Sequence, residues 1–92
     1  MTNKPVQWTT PFKKDYKREK KKNPNRDTLL LPLLEKLINN EVLEERYRDH
    51  FLTGDKKGYK DCHIKPDLIL IYQKPDMETL ILLRLGSHSE LF

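Results

Sequence analysis

Residues Leu68–Leu85 read LILIYQKPDMETLILLRL, two apolar runs separated by Pro75-Asp76, and this stretch decides the fold. Each run is about a strand's length, rich in residues that suit a pleated surface, and bounded by turn formers. Leu68–Lys74 and Thr79–Leu85 are therefore expected as strands, and the short link between them implies antiparallel neighbours. Leu68 to Tyr72 is apolar at every position, so this strand is covered on both faces and lies inside its sheet. Just upstream, Tyr59–Lys65 (YKDCHIK) forms a third strand, joined through a turn at Pro66-Asp67.

The amino-terminal half follows a different period. Val6–Thr10 (VQWTT) suits a short strand before Pro11, and Phe12 to about Asn23 reads as a helix with Phe12 and Tyr16 spaced i,i+4. Asn23-Pro24-Asn25 stops it. A second helix begins near Asp27 or Thr28 and carries Leu30, Leu33, Leu34, Leu37 and Ile38 on one face as far as Asn39-Asn40. Pro32 is tolerated there if it falls in the first turn, where its missing N–H has no intrahelical partner. A polar connection, EVLEERYRDH, leads to the strands. The expectation is a single α+β domain over residues 1–92, two amino-terminal helices lying on one face of a mainly antiparallel sheet. The other face is closed by the carboxyl-terminal segment or left concave for a partner.

Ninety-two residues allow one modest core. One cysteine, Cys62, cannot form an internal disulfide, no apolar run reaches the roughly 20 residues that span a bilayer, and MTNKPVQW lacks the apolar stretch of a secretory signal. A cytoplasmic protein without a membrane partner is expected. The net charge is +4, but eight cations and two anions fall between residues 13 and 26. Such a patch releases counterions on meeting a phosphate-rich partner, so RNA, DNA or a ribosome is the natural candidate.

Chemistry-bearing side chains gather in the sheet half. Strict alternation puts Leu80, Leu82 and Arg84 on one face of the last strand and Ile81, Leu83 and Leu85 on the other. A guanidinium in an apolar strand must meet an anion, from the protein or from a ligand. His63 and Asp67 flank one tight turn, and His88 follows Arg84 through Gly86, which permits a sharp bend. With His50, these residues suit metal-free RNA cleavage: one group deprotonates a ribose 2′-hydroxyl, another protonates the 5′-oxygen, and arginine stabilises the phosphorane. A metal site from His50, Cys62, His63, Asp67 and His88 is the other chemistry, but no C-x-x-C, H-x-x-x-H or carboxylate cluster supports it. A structural histidine at His63 and a loop anchor at His50 are the plainer readings of those two residues. Cys62 reads as a packing residue and Tyr59 and Tyr72 as structural ones, while Phe92 either stacks on a base or plugs the core.

Tyr47–Tyr72 (YRDHFLTGDKKGYKDCHIKPDLILIY) followed by Leu80–Phe92 (LILLRLGSHSELF) resembles the YafQ branch of the RelE-type bacterial toxins. The likeness runs over residues 12 to 92 and rests on the ordered set D-H, L-x-G, K-G-Y, H-I-x-P-D and R-x-G-x-H-x-x-L-F. It implies a compact RelE-like α+β fold and the toxin of a type II toxin–antitoxin pair, a ribosome-dependent endonuclease that cuts mRNA in the decoding site without a metal or other cofactor. By the same resemblance His50, His63, Asp67, Arg84, His88 and Phe92 match the functional set. His88 would give or take a proton, Arg84 would stabilise the phosphorane, His50, His63 and Asp67 would share the second proton role, and Phe92 would orient the mRNA. The chain departs from the family pattern at Leu68, where many members have Trp, at Phe51, where they have Pro, and at Lys56, often aromatic.

Under that resemblance Lys17, Arg18, Lys20 and Lys21 would grip ribosomal RNA. The partners would be the ribosome, mRNA and a cognate antitoxin that covers the basic and concave surfaces, with operator DNA reached only through the antitoxin complex. A translation inhibitor that occupies the ribosome without cutting is the alternative.

Overall fold

The computed structural model describes residues 6–52 and 58–91, the Arg26 side chain excepted. In chain order the elements are β1 (Val6–Trp8), α1 (Thr10–Lys22), α2 (Asp27–Ile38), β2 (His50–Phe51), β3 (Lys60–Lys65), β4 (Leu68–Asp76), β5 (Thr79–Gly86) and α3 (His88–Leu91), with 3-10 turns at Pro24–Arg26 and Glu45–Tyr47. One sheet holds the strands in the order β1-β5-β4-β3-β2. β1 runs parallel to β5, and the other three pairs are antiparallel. The α+β architecture expected from the sequence is thus present, and β4 is central, with Leu68–Tyr72 all buried.

Local chemistry explains the joints. Thr9 ends β1 and caps α1: its Oγ1 accepts from the Phe12 N–H at 3.4 Å and donates to the Leu82 carbonyl at 2.8 Å, tying helix start to sheet. Pro11 occupies the first turn, and Lys20, Lys21 and Lys22 the last, where cations meet the negative end of the helix dipole. In the β4–β5 turn, the Asp76 carboxylate accepts from the Glu78 N–H at 2.8 Å and the Thr79 hydroxyl at 3.3 Å.

Pro32 lies inside α2 and beyond its first turn, contrary to expectation. The 3-10 turn runs straight into the helix: the Asn23 side chain accepts from the Asn25 N–H at 3.0 Å, and the Thr28 hydroxyl donates to the Asn25 carbonyl at 2.6 Å. Pro32 leaves the Thr28 carbonyl without its i+4 donor, a loss reduced because both residues are exposed to water.

Two apolar clusters flank the sheet. Phe12, Leu30, Leu33, Leu34 and Leu37 of the helices pack on Cys62, Leu68, Leu70, Tyr72, Leu80, Leu82 and Leu85. On the opposite face Ile69 and Ile71 are covered by Leu91 of α3, with Leu52, Tyr59 and Leu83 around them. The carboxyl-terminal segment therefore closes the second face over β4, one of the two outcomes the sequence left open.

The alternation expected along β5 fails at one residue. Tyr72 pairs with Leu82 and Ile71 with Arg84, so Leu83 is an extra residue, a bulge. Beyond it the faces exchange: Leu85 joins the helix-side core, and Arg84 sits opposite Ile71, on the other face from Leu80 and Leu82. The bulge moves Arg84 to the side where the histidines lie.

Candidate functional site

Register alone assembles the second face. Arg84 pairs with Ile71, Ile71 with Asp61 and Asp61 with His50, a continuous row across β5, β4, β3 and β2. Three strand spacings of about 4.8 Å put His50 and Arg84 roughly 14 Å apart at the backbone. Two residues along, His63 pairs with Ile69 and Ile69 with Gly86, so His63 shares this face and lies toward the end where β3 and β5 finish and β4 begins. Asp67, exposed in the β3–β4 turn, and His88, the exposed first residue of α3, stand at that same end. His50, His63 and Arg84 thus share a face, and Asp67 and His88 flank it. Phe92 and Lys56 lie outside the described residues.

Asp61 was not singled out by its sequence, although it stands two residues before His63 in a strand and so had to share its face. It is 4% exposed. Its Oδ1 lies 3.0 Å from His50 Nε2, and no better-aligned donor reaches that oxygen among the described residues. His50 Nδ1 lies 2.6 Å from the Arg48 carbonyl. A carbonyl only accepts, so Nδ1 is the donor of that bond, and Nε2 faces the carboxylate.

The segment bearing His50 is held from the other side of the sheet. Asp49 accepts from the buried Tyr72 hydroxyl and from Lys60 Nζ at 3.0 Å. Burial, then the hydrogen bond to Asp49, pushes the Tyr72 phenol well above its ordinary range. Burial likewise raises the Cys62 thiol, with Asp49 and Asp61 adding to the effect. Cys62 packs in the helix-side core, on the face away from His63. Among the described residues no three His, Cys, Asp or Glu side chains converge as a metal site.

Arg84 finds its anion within the chain. Asp15, 3% exposed on α1, accepts from Arg84 Nε at 2.6 Å and Nη2 at 3.3 Å and from the Leu85 N–H at 3.0 Å. β1 pairs only with Leu80–Leu82, so beyond it the edge of β5 is satisfied by side chains: Asp15 takes the Leu85 N–H, and Arg18 Nη2 donates to the Leu85 carbonyl at 2.8 Å. Burial tends to raise the Asp15 pKa, but the bonds from Arg84 and Leu85 and the charges of Arg84 and Arg18 bring it below the ordinary carboxylate value. Among the described residues, two of the five guanidinium N–H groups of Arg84 are engaged, leaving the Nη1 pair to meet a ligand.

The helix that carries His88 is capped and latched. Ser87-His88-Ser89-Glu90 is a capping box: the Ser87 N–H donates to Glu90 Oε1 at 2.8 Å, and Ser87 Oγ accepts from the Glu90 N–H at 3.3 Å. Glu90 Oε2 lies 3.3 Å from Arg18 Nε and 3.5 Å from Lys22 Nζ. The bonds from Ser87, with the nearby cations, hold the Glu90 carboxyl down to about 2. The S-x-x-E spacing was the signal in the sequence for this helix. Gly86, directly before it, lets the chain pass close to Arg18: a Cβ there would stand 2.8 Å from Arg18 Nη2 and would push that guanidinium aside.

The basic helix divides into two groups. Arg18 binds Asp15 at 3.0 Å, Glu19 at 3.3 Å and Glu90, and so bridges α1, β5 and α3. Lys20 pairs with Asp27 at 3.1 Å and lies over the Tyr16 ring, whose hydroxyl also donates to Asp27. Lys17 and Lys21 are exposed.

Residues 4–92 match the family described as bacterial toxin of type II toxin-antitoxin system, YafQ. The mRNA interferase toxin YafQ of Escherichia coli K12 is 38% identical over 93 aligned residues, covering 100% of this chain and 99% of the relative. Among solved structures, a metal-bound toxin from Helicobacter pylori superposes with a TM-score of 0.87 at 41% identity, covering 98% of this chain and 100% of that one. YafQ in the E. coli DinJ-YafQ complex superposes with a TM-score of 0.87 at 37% identity, covering 98% of this chain and 99% of that one. With its fold, its length and its ordered motifs all in agreement, the chain belongs to the YafQ family of type II toxin–antitoxin toxins.

Proposed function

We propose that this toxin is a ribosome-dependent mRNA endonuclease that works without a metal ion. The observation that carries the reading is the end of the sheet where His50, His63 and Arg84 share a face with Asp67 and His88 at its rim. The E. coli relative's designation as an mRNA interferase supports the substrate class. A base among His50, His63 and Asp67 takes the 2′-hydroxyl proton. The 2′-oxygen then attacks phosphorus, the bond to the 5′-oxygen breaks, and His88 protonates that oxygen, leaving a 2′,3′-cyclic phosphate and a 5′-hydroxyl. The unengaged Nη1 of Arg84 stabilises the phosphorane, and Asp15 keeps that guanidinium oriented. The ribosome supplies the alignment of ribose and phosphate that this small surface lacks. Phe92 would orient the mRNA.

Lys17 and Lys21 are the simplest contacts to ribosomal RNA, since Arg18 and Lys20 already hold internal carboxylates. Binding of a cognate antitoxin is supported by the DinJ complex of the relative. The test is to incubate the protein with programmed ribosomes and analyse the mRNA ends, with and without a chelator at a magnesium level that keeps ribosomes intact. New 2′,3′-cyclic or 3′-phosphate ends that persist with chelator agree with the proposal. Inhibition without new ends would mean that the protein only occupies the ribosome, and free-RNA cutting restored by one specific ion would mean metal catalysis.

A further inference from the structure

We infer a second RNA-phosphate subsite beside the proposed cleavage centre, in the cavity between the Glu45–Tyr47 turn, which ends at Arg48, and the far end of β3. The inference rests on the endonuclease reading for its substrate and extends it to a neighbouring nucleotide. The cavity measures about 480 Å³ and is lined by Arg46, Arg48, His63, Ile64, Lys65 and Pro66. Three of these are cations and none is a carboxylate; the carboxylate that pairs with one of them, Glu44, lies 3.4 Å from Arg46 outside the lining.

The cavity is built by the fold. β2 is two residues long and pairs only with Lys60 and Asp61, so among the described residues no strand covers the β3 edge from His63 onward. Ile64 is the extra residue of a register shift between His63 and Lys65, where β3 bends against β4. The backbone of the segment opposite is held in place. Arg48 is in the left-handed conformation, φ 48°, and the His50 ring bonds its carbonyl. The next residue, Asp49, is anchored by Tyr72 and Lys60. Arg46 stacks 4.8 Å from the Tyr47 ring, donates to its hydroxyl at 2.9 Å and approaches Glu44 at 3.4 Å.

His63 belongs both to this cavity and to the face that carries Arg84. An RNA strand whose scissile phosphate lies near Arg84 can therefore run across β3 and set an adjacent phosphate among Arg46, Arg48 and Lys65. Ile64 and Pro66 offer that nucleotide an apolar wall. Phosphate contacts of this kind fix register without reading sequence, so the subsite would act at every codon.

The probe is a 2′-O-methyl RNA hexamer, which has no 2′-hydroxyl and cannot be cut, with binding followed by fluorescence anisotropy across a salt series. The variant combines Arg48→Gln and Lys65→Gln, the control combines Lys13→Gln and Lys14→Gln, and Lys65→Gln alone serves if the double variant unfolds. Removing contacts to one or two phosphates should lower the slope of log K against log salt by about 0.7 to 1.4, and weaken binding roughly 5- to 25-fold at about 0.1 M salt. The subsite is overturned if the slope is unchanged, if the control loses as much, or if the wild-type protein does not bind the hexamer. Wild-type cleavage on ribosomes separates the two readings. Cleavage with an unchanged slope sinks the subsite alone, while a reduced slope without cleavage sinks the endonuclease and leaves an RNA-phosphate site.

Discussion

Replacing Glu90 should release the last helix without unfolding the domain. Glu90→Ala removes the side-chain acceptor of the Ser87 N–H and two partly exposed ion pairs, while the backbone N–H at position 90 keeps its bond to Ser87 Oγ. The bond from the Ser87 N–H contributes about 1 kcal/mol and the ion pairs together about 0.5 kcal/mol after solvent screening, while alanine's better helix propensity returns about 0.3 kcal/mol. The net loss of about 1 kcal/mol makes local opening roughly fivefold more frequent. Glu90→Gln keeps an acceptor for the Ser87 N–H and should change opening about twofold. The reporters are the amides at positions 90 and 91, which both donate to the Ser87 carbonyl at 3.1 Å, read by native-state hydrogen exchange. Acid gives a second axis. The Glu90 carboxyl falls from an ordinary 4.5 to about 2 on folding, so its stabilisation is complete above the higher value and is lost as pH falls toward the lower one. Wild-type protection factors should decline across that window, and those of Glu90→Gln should not. Equal protection in wild type and Glu90→Ala would refute the latch, leaving Leu91 burial to hold the helix by itself.

Other outcomes follow from the same contacts. Asp15→Ala strips the acceptor from the Leu85 N–H and from Arg84, so urea unfolding should show a loss of about 2–3 kcal/mol; a loss below 1 kcal/mol would contradict the edge clamp. Tyr72→Phe removes the buried donor to Asp49 and should cost about 1–2 kcal/mol, with faster exchange of the Leu52 amide, which bonds to the Tyr59 carbonyl. Lys17→Glu with Lys21→Glu should weaken ribosome binding and flatten its salt dependence, measured by co-sedimentation. Unchanged binding would remove α1 from the ribosome contact.

The central hairpin and the helical core were legible because they depend on burial alone: nothing but the sheet interior accommodates LILIY, and Leu30, Leu33, Leu34 and Leu37 can face only one way. What the sequence hid depends on geometry between elements. Strict alternation put Arg84 beside Leu82, and a single bulged residue, Leu83, reversed it. Two-residue β2 carries no periodicity of its own and exists by pairing with β3. Arg18 read as one cation in a basic run, yet its partners Asp15, Glu19 and Glu90 absorb it, and the last of these lies seventy-two residues further along the chain. The carboxyl-terminal helix was readable in principle from S-x-x-E, a pattern outweighed by the general tendency of chain ends to fray. His50, His63 and Arg84 were singled out by residue type and family likeness, and only the register shows that they share a face.

Cleavage by a His88→Ala variant is the most direct test. The Ser87–Glu90 bonds that hold α3 do not use the imidazole, so the variant should still fold, as its thermal midpoint and antitoxin binding will check. On programmed ribosomes the wild type should generate new mRNA ends, and the folded variant should generate them about 100- to 10,000-fold more slowly. A folded His88→Ala protein that cuts at the wild-type rate would contradict the assignment of this end of the sheet as the reaction centre.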